Sequence, residues 1–238
     1  MTNPVFCALD TTDTTEAVSL ARQLSGLVGG FKLGLEFHTA NGAAGIRAVA
    51  ETGMPIFLDL KFHDIPNTVA GAIRAAVPLA PALTTLHAIG GAEMMKAAVD
   101  AAHESAAKLN VARPKILAVT VLTSMGQAEL PTIGVEGSVL DQVKRLASLA
   151  VSAGVDGIVC SPHEVDHLRA LLGPDVTLVI PGIRPAWAAA NDQKRVLTPA
   201  EAMAKGADWL VIGRPITAAA DPAEAAGLIA AELAGGKP

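Results

Sequence analysis

The sequence contains no tyrosine and few other aromatic residues, and it has no long apolar run. Aromatic side chains make up 3% of the 238 residues, although 51% of the residues are hydrophobic. Alanine, glycine, valine and leucine therefore supply most of the apolar surface, which suits helices packed closely on a sheet. No apolar run approaches the ~20 residues of a membrane-spanning helix. We therefore expect no membrane segment.

Cysteine is also scarce, and a secretion signal is missing. Cys7 and Cys160 each lie in an apolar run, and neither has a histidine or a second cysteine at metal-ligand or redox spacing. Such thiols are most often small buried side chains. The N-terminal Met-Thr-Asn-Pro has neither the basic nor the apolar part of a signal peptide. We expect a cytoplasmic protein.

Basic residues are too few for a polyanionic partner. The formal net charge is −5, from 18 Lys and Arg against 23 Asp and Glu, and no basic run occurs. Nucleic-acid-binding proteins usually carry a basic face, so nucleic acid is not an expected partner. A small phosphorylated ligand is still compatible with this charge, because one or two positioned cations are enough to bind it.

A short apolar run followed by an alanine-rich amphipathic segment recurs along the whole chain. This alternation predicts parallel βαβ units. The predicted strands are 5–10, 30–37, 55–62, 83–88, 115–122, 157–161, 177–181 and 209–213. The predicted helices are 14–24, 39–51, 66–77, 92–108, 139–153, 162–172, 199–205 and 222–233.

Eight such units predict a single-domain (β/α)8 TIM barrel that takes up residues 1–238. A doubly wound open sheet has the same alternation and is the alternative. It ranks second because the units repeat evenly and no Gly-x-Gly-x-x-Gly opens the first one. The segments 123–137 and 183–197 exceed the usual βα loop length, so they are either lids or neutral insertions.

Two carboxylates and an ammonium lie within six residues at the end of the third predicted strand. With the strand period of two, Phe57, Asp59 and Lys61 share one face. A solvated edge strand with a surface ion pair would explain them. The apolar flanks favour a functional cluster that also takes in Asp64, because buried charges need partners.

Other candidates follow from the rule that barrel active sites form at the C-terminal ends of the strands. Lys32 lies between apolar residues and glycines on the second strand, and with Asp59, Lys61 and Asp64 it completes a set of zero formal charge. The last two units pair a glycine with an arginine. These pairs predict an anion site, although solvent-facing arginines would fit too. They are Pro181-Gly182-Ile183-Arg184 and Gly213-Arg214.

The segment 59–68, Asp-Leu-Lys-Phe-His-Asp-Ile-Pro-Asn-Thr, resembles the signature of the orotidine 5′-phosphate decarboxylases of bacteria. Further matches occur in the family's order and spacing over essentially the whole chain. The Asp-x-Lys-x-x-Asp core is shared with sugar-phosphate decarboxylases and aldolases of the same superfamily. The further matches are 8–10, 31–34, 120–124, 181–184 and 213–216.

The resemblance implies the loss of CO2 from orotidine 5′-phosphate to give UMP in pyrimidine biosynthesis. Asp59 would lie against the substrate carboxylate, and Lys61 would protonate C6. Asp10 and Lys32 would hold ribose hydroxyls, and Lys32 would also join the charged network. The C6 carbanion has no adjacent carbonyl, so its stabilisation has to be electrostatic.

The resemblance also implies a homodimer in which Asp64 and Thr68 complete the neighbouring site. Thr123 would contact the ligand near the base, and Gln193 would belong to a loop that closes over the 5′-phosphate. No metal or organic cofactor would be needed. The residues implied at the phosphate end are Arg184, Gln193, Gly213 and Arg214, and Pro181 is a further substrate-binding candidate.

Two other functions remain as alternatives. One is a magnesium-dependent sugar-phosphate decarboxylase or aldolase, and the other is a barrel that binds UMP without catalysis. Ile65-Pro66-Asn67-Thr68 and Gln193 favour the nucleotide enzyme over the first. Retention of both Asp59 and Lys61 argues against the second.

Overall fold

The computed structural model describes residues 3–188 and 197–235, which form eight parallel strands closed into one barrel. Each strand pairs with the next in chain order, and the eighth returns to pair with the first. The predicted single-domain (β/α)8 barrel is confirmed, and the open sheet is wrong. Strands β1 to β8 are Val5–Ala8, Gly30–Gly34, Ile56–Phe62, Leu83–His87, Lys115–Val119, Gly157–Val159, Thr177–Pro181 and Trp209–Ile212.

Helices follow the strands and cover the outside of the barrel. In the part of the chain that the structure describes, no helix is long and apolar enough to cross a membrane. Helices α1 to α9 are Thr14–Gln23, Leu35–Ala50, Pro66–Ala76, Ala92–Leu109, Val139–Ser152, Val165–Leu172, Pro199–Ala204, Arg214–Thr217 and Pro222–Leu233.

The boundary between β2 and α2 differs from the prediction. Residues 35–37 are predicted as strand, but α2 already begins at Leu35. Its N-cap is Gly34, which has no side chain to cap the helix, so the usual start signal is missing. Phe37 becomes fully buried in the core from its helical position. Gly42, with φ of 57°, interrupts α2.

Two more helix starts depart from the prediction. Helix α6 begins at Val165 rather than at residue 162. The four-residue α8, which carries Arg214 and Pro215 in its first turn, is absent from the predicted elements. A helix of one turn has no apolar periodicity, so a pattern search does not find it.

Alternation along the strands separates the barrel interior from the layer under the helices. Phe6, Phe57, Leu83, Leu117 and Val179 form an apolar cluster inside the barrel. The residues that alternate with them along each strand face outward and pack with the helices in the main core. Toward the C-terminal ends of β2 and β3, the inward positions change from apolar to charged. The fold therefore presents charge at one mouth of an apolar barrel.

Candidate active site

A cavity of about 190 Å³ opens at the C-terminal mouth of the barrel. Its wall is apolar on the side of β5, β6 and β8, where Val119, Val159 and Val211 line it. The polar side chains come mainly from β2 and β3. A flat ring would fit against the apolar side of the cavity, and its substituents would contact the charged side chains of β2 and β3. The polar lining residues are Lys32, Asp59, Lys61 and Thr123.

The carboxylate of Asp59 is the centre of the charge cluster. Lys61 Nζ donates to Asp59 Oδ2 at 2.8 Å, and Lys32 Nζ lies 3.9 Å from the same oxygen. Asp59 is 9% exposed, so this negative charge is largely removed from water. Two flanking ammonium groups make its burial tolerable. The side chain of Lys61 is 30% exposed and reaches the open cavity.

Lys32 links this pair to Asp10 at the end of β1. Its Nζ donates to Asp10 Oδ1 at 3.1 Å, and the Asp10 side chain is 56% exposed. A Cβ at Gly34 would lie 2.9 Å from Lys32 Nζ. Glycine at this position leaves the room that the ammonium occupies. The structure thus brings Asp10, Lys32, Asp59 and Lys61 into one chain of alternating charge.

Asp59 and Lys61 meet on one face, but not by regular alternation. Lys61 has φ of 51°, the left-handed region, which costs a residue with a Cβ about 1 kcal/mol or more. The pairing of β3 with β4 is irregular there. Leu58 pairs with Thr84 and Phe62 with Leu86, so β3 uses four residues where β4 uses two. A bulge therefore places the ammonium.

Thr85 is a residue of the site that the sequence analysis misses. Its hydroxyl donates to Asp59 Oδ1 and accepts from the backbone N–H of Lys61, both at 2.9 Å. It is completely buried. Threonine is common in strands because of its branched Cβ, so its presence in β4 gives no signal of a special role.

A histidine pair lies beside the cluster. The rings of His63 and His87 are 5.8 Å apart. Burial lowers the pKa of His87, and the neighbouring His63 and Lys61 lower it further. His87 Nδ1 is buried without a hydrogen-bond partner among the described residues. A neutral His87 fits this position next to the ammonium of Lys61.

Cys160 lies in the wall of the same cavity. Burial raises the pKa of its thiol well above the ordinary value. The thiol is therefore protonated near neutral pH and acts as part of the apolar wall. The expectation of a small buried side chain at Cys160 and at Cys7 is confirmed.

Asp64 and Thr68 are not brought into the charge cluster within one chain. Both are exposed, Asp64 after β3 and Thr68 in the first turn of α3. Asp64 Oδ1 accepts a hydrogen bond from the backbone N–H of Ile65 at 2.6 Å. This contact orients the carboxylate but leaves most of it open to another partner.

The described residues predicted at the phosphate end follow the neighbouring strands β7 and β8. Pro181 ends β7 and lines the cavity, and Arg184 follows it, its backbone N–H donating to Leu197 at 3.3 Å. Gly213 follows β8, and a Cβ there would lie 3.9 Å from Asp10 Oδ2. Arg214, next in the chain, is exposed. Gln193 lies outside the described residues.

The charged groups of the site form a network of ion pairs. Across residues 3–188 and 197–235, no three or more His, Cys, Asp and Glu side chains come together in a way that could hold a metal ion. Asp59 has its two oxygens taken by Thr85, Lys61 and Lys32. The cluster can hold a substrate between charges of opposite sign.

Comparisons with known proteins agree on one family. The sequence model of the Orotidine 5'-phosphate decarboxylase / HUMPS family matches residues 3–229. The orotidine 5'-phosphate decarboxylase of Paramagnetospirillum magneticum is 66% identical over 233 residues, which cover 98% of this chain and 99% of that one. That of Rhodospirillum rubrum is 61% identical over 234 residues, which cover 98% and 95%.

The solved structures with a similar fold include a protein named for the same activity. The crystal structure of orotidine 5'-phosphate decarboxylase from Lactobacillus acidophilus has a TM-score of 0.83 and 38% sequence identity, covering 97% of this chain and 99% of that one. An uncharacterized conserved protein from Geobacillus kaustophilus has a TM-score of 0.84 and 32% identity, covering 97% and 100%. The chain belongs to the orotidine 5'-phosphate decarboxylase / HUMPS family.

Proposed function

We propose that this chain is a carboxy-lyase that converts orotidine 5′-phosphate to UMP and CO2 in pyrimidine biosynthesis. The observation that carries the proposal is the contact of Lys61 Nζ with Asp59 Oδ2 at 2.8 Å, at the polar edge of an otherwise apolar cavity. Relatives named for this activity, at 66% and 61% identity over nearly the whole chain, support it.

In the proposed reaction, Asp59 and Lys61 act on the two sides of the breaking bond. Asp59 lies against the substrate carboxylate, and this repulsion is relieved when the carboxyl group leaves as neutral CO2. The electron pair of the C–C bond stays on C6. The ammonium of Lys61 stabilises this carbanion electrostatically and then transfers a proton to it. The positive charge of Lys32, 3.9 Å from Asp59 Oδ2, offsets part of the cost of burying that carboxylate.

Asp10 and Lys32 are proposed to hold the ribose hydroxyls. They form an ion pair at 3.1 Å at the mouth, between the reacting pair and Gly213. Thr123 and Pro181 line the cavity and are proposed to contact the ligand near the base. The ribose hydroxyls would replace part of the solvent around the half-exposed side chain of Asp10.

The 5′-phosphate is proposed to bind at the ends of β7 and β8. Arg184 and Arg214 supply guanidinium groups, which bind phosphate oxygens in pairs. Gly213 has no side chain to obstruct the approach of an anion beside Asp10. Gln193 is proposed to join them from its loop. Because the phosphate is remote from C6, its binding energy can serve to order the site.

Replacing Arg214 by alanine is expected to lower kcat/KM for orotidine 5′-phosphate by about 10²–10³-fold, the effect of losing a paired charge-assisted contact. The rate with unphosphorylated orotidine should change much less. Steady-state kinetics with both substrates measures the difference. Arg22→Ala, in the last turn of α1 at the opposite end of the barrel, is the matched control. Equal losses for both substrates would refute the phosphate role.

A homodimer is also proposed, in which Asp64 and Thr68 complete the neighbouring site. Asp64 and Thr68 are exposed at the same end of the barrel as the cavity. Large apolar side chains are exposed after β3 and its two neighbouring strands, with Leu35 after β2 at 54%, Ile65 after β3 at 68% and Ile89 after β4 at 51%. A second copy of the chain would cover this apolar surface and bring its own Asp64 and Thr68 to the cavity.

The whole chain, residues 1–238, is proposed to be one catalytic domain that acts in the cytoplasm. One family match that extends over residues 3–229 supports a single domain across this range. Both cysteines are free thiols, as is usual for proteins of a reducing compartment.

The absorbance of orotidine 5′-phosphate provides the test of the proposed function. We expect the purified chain to consume this substrate at the same rate with and without EDTA. Loss of activity with EDTA would instead favour a magnesium-dependent decarboxylase or aldolase, which would then be assayed with sugar phosphates. Binding of UMP without any turnover would indicate a barrel that binds the nucleotide only.

A further inference from the structure

Two adjacent threonines of β4 have opposite environments. Thr84 and Thr85 are both completely buried. Thr84 belongs to the outward-facing row, since it pairs with Leu58 of the main core, and its hydroxyl has no hydrogen-bond partner among the described residues. Thr85 belongs to the inward-facing row, and its hydroxyl is used twice. The chain thus contains a matched pair of buried hydroxyls, of which one touches the charged cluster.

The two bonds of Thr85 join parts of the bulge that have different functions. The hydroxyl of Thr85 donates a hydrogen bond to Asp59 Oδ1, which leaves Asp59 Oδ2 to face the two ammonium groups. The hydroxyl oxygen of Thr85 also accepts a hydrogen bond from the backbone N–H of Lys61. The irregular pairing of β3 with β4 removes this N–H from the strand ladder. A buried N–H without a partner would be costly, so Thr85 makes the left-handed Lys61 tolerable.

The partner strand is regular where β3 is not. β4 pairs with β5 without interruption, from Leu83 opposite Lys115 to His87 opposite Val119. Thr85 is therefore fixed by its own strand, and its branched side chain has few rotamers. A rigid hydroxyl on a regular strand can set the position of two groups on an irregular one.

We propose that Thr85 is a positioning residue for decarboxylation, whose single hydroxyl sets the separation and orientation of the Asp59 carboxylate and the Lys61 ammonium. It does not touch the substrate, because it is buried beneath both groups. The inference rests on the proposed function of this pair. Catalysis by fixed charges depends on their placement, so small displacements lower kcat more than they weaken ground-state binding.

The test compares Thr85→Val and Thr85→Ser with Thr84→Val. Valine keeps the shape of threonine but can neither donate nor accept, whereas serine keeps the hydroxyl. We expect Thr85→Val to lower kcat by about 10–100-fold with KM and UMP affinity within about threefold. Thr85→Ser should stay within about threefold of wild type, and Thr84→Val within about twofold. Steady-state kinetics, calorimetry with UMP and circular dichroism provide the readouts.

Several results would overturn the inference. They are a kcat for Thr85→Val equal to that of Thr84→Val, a Thr85→Ser variant as slow as Thr85→Val, or a loss confined to KM. Failure of Thr85→Val to fold while Thr84→Val folds would also count against it, since the hydroxyl would then serve stability. A wild-type chain that does not consume orotidine 5′-phosphate would refute the proposed function instead, so the two failures are distinguishable.

Discussion

Lys61→Ala is expected to lower kcat for orotidine 5′-phosphate by about 10⁴-fold or more, because in the proposed mechanism one change removes both the electrostatic stabilisation of the carbanion and its proton donor. Each of these contributions is large in other enzymes, and here one ammonium supplies both. No other described ammonium lies as close to Asp59, since Lys32 is 3.9 Å away and is held by Asp10. Lys32 cannot replace Lys61 without breaking that ion pair.

The variant should still fold and bind UMP. The Lys61 side chain is 30% exposed, so its removal leaves no closed cavity in the core. Asp59 keeps the hydrogen bond from Thr85 and the charge of Lys32. UMP has lost the carboxylate that faces Asp59, so its binding depends mainly on contacts to the ribose and phosphate. We expect its affinity to stay within about tenfold of wild type.

The measurement combines a sensitive decarboxylation assay with calorimetric titration of UMP. Lys205→Ala is the matched control, because Lys205 forms an exposed ion pair with Asp166 and does not line the cavity. It should have wild-type kinetics. If Lys61→Ala kept near-wild-type turnover, Lys61 could not be the proton donor, and the proposed mechanism would fail at its central step.

The sequence is sufficient to predict the barrel because each unit repeats the same local pattern. Val, Ile and Leu runs mark buried parallel strands, and eight of them in even succession leave little choice of fold. The errors occur where local signals are weak. Leu35 and Phe37 are apolar, alternate with Glu36 and follow a strand without a break, and Gly34 cannot cap a helix, so nothing in this stretch marks the start of α2.

The candidate site is predictable in part for a related reason. Charges within apolar runs are costly to bury, so Lys32, Asp59 and Lys61 stand out in the sequence, and the barrel brings their strands side by side. The bulge at Lys61 is different. It depends on the pairing of β3 with β4 rather than on the residues of β3 alone. Thr85, which stabilises it from the other strand, therefore looks like an ordinary strand residue.

Asp64 lies apart from the charge cluster within one chain. It belongs to the same motif as Asp59 and Lys61, yet it is exposed and forms no ion pair with the cluster in the described chain. Large apolar side chains that follow β2, β3 and β4 are also exposed, namely Leu35, Ile65 and Ile89. Both observations have one explanation if a second subunit covers this face.

Mixing two inactive variants is expected to restore activity if Asp64 serves the neighbouring subunit. Lys61→Ala and Asp64→Ala should each lose most activity as homodimers, with Asp64→Ala reduced by about 10²-fold or more. In a heterodimer, one site combines Lys61 of one chain with Asp64 of the other and is intact. Random pairing makes half of the dimers mixed, so about a quarter of wild-type specific activity should return.

The experiment refolds the two variants together at equal concentration and assays the mixture, with heterodimers isolated by two different tags. The matched control mixes Lys61→Ala with the double variant Lys61→Ala/Asp64→Ala, which can form no intact site and should stay inactive. Inactive heterodimers would show that Asp64 acts within its own chain. A wild-type chain that elutes with the mass of one subunit would exclude the dimer. Recovery of activity only in the first mixture requires a site built from two chains, with Asp64 and Lys61 from different subunits.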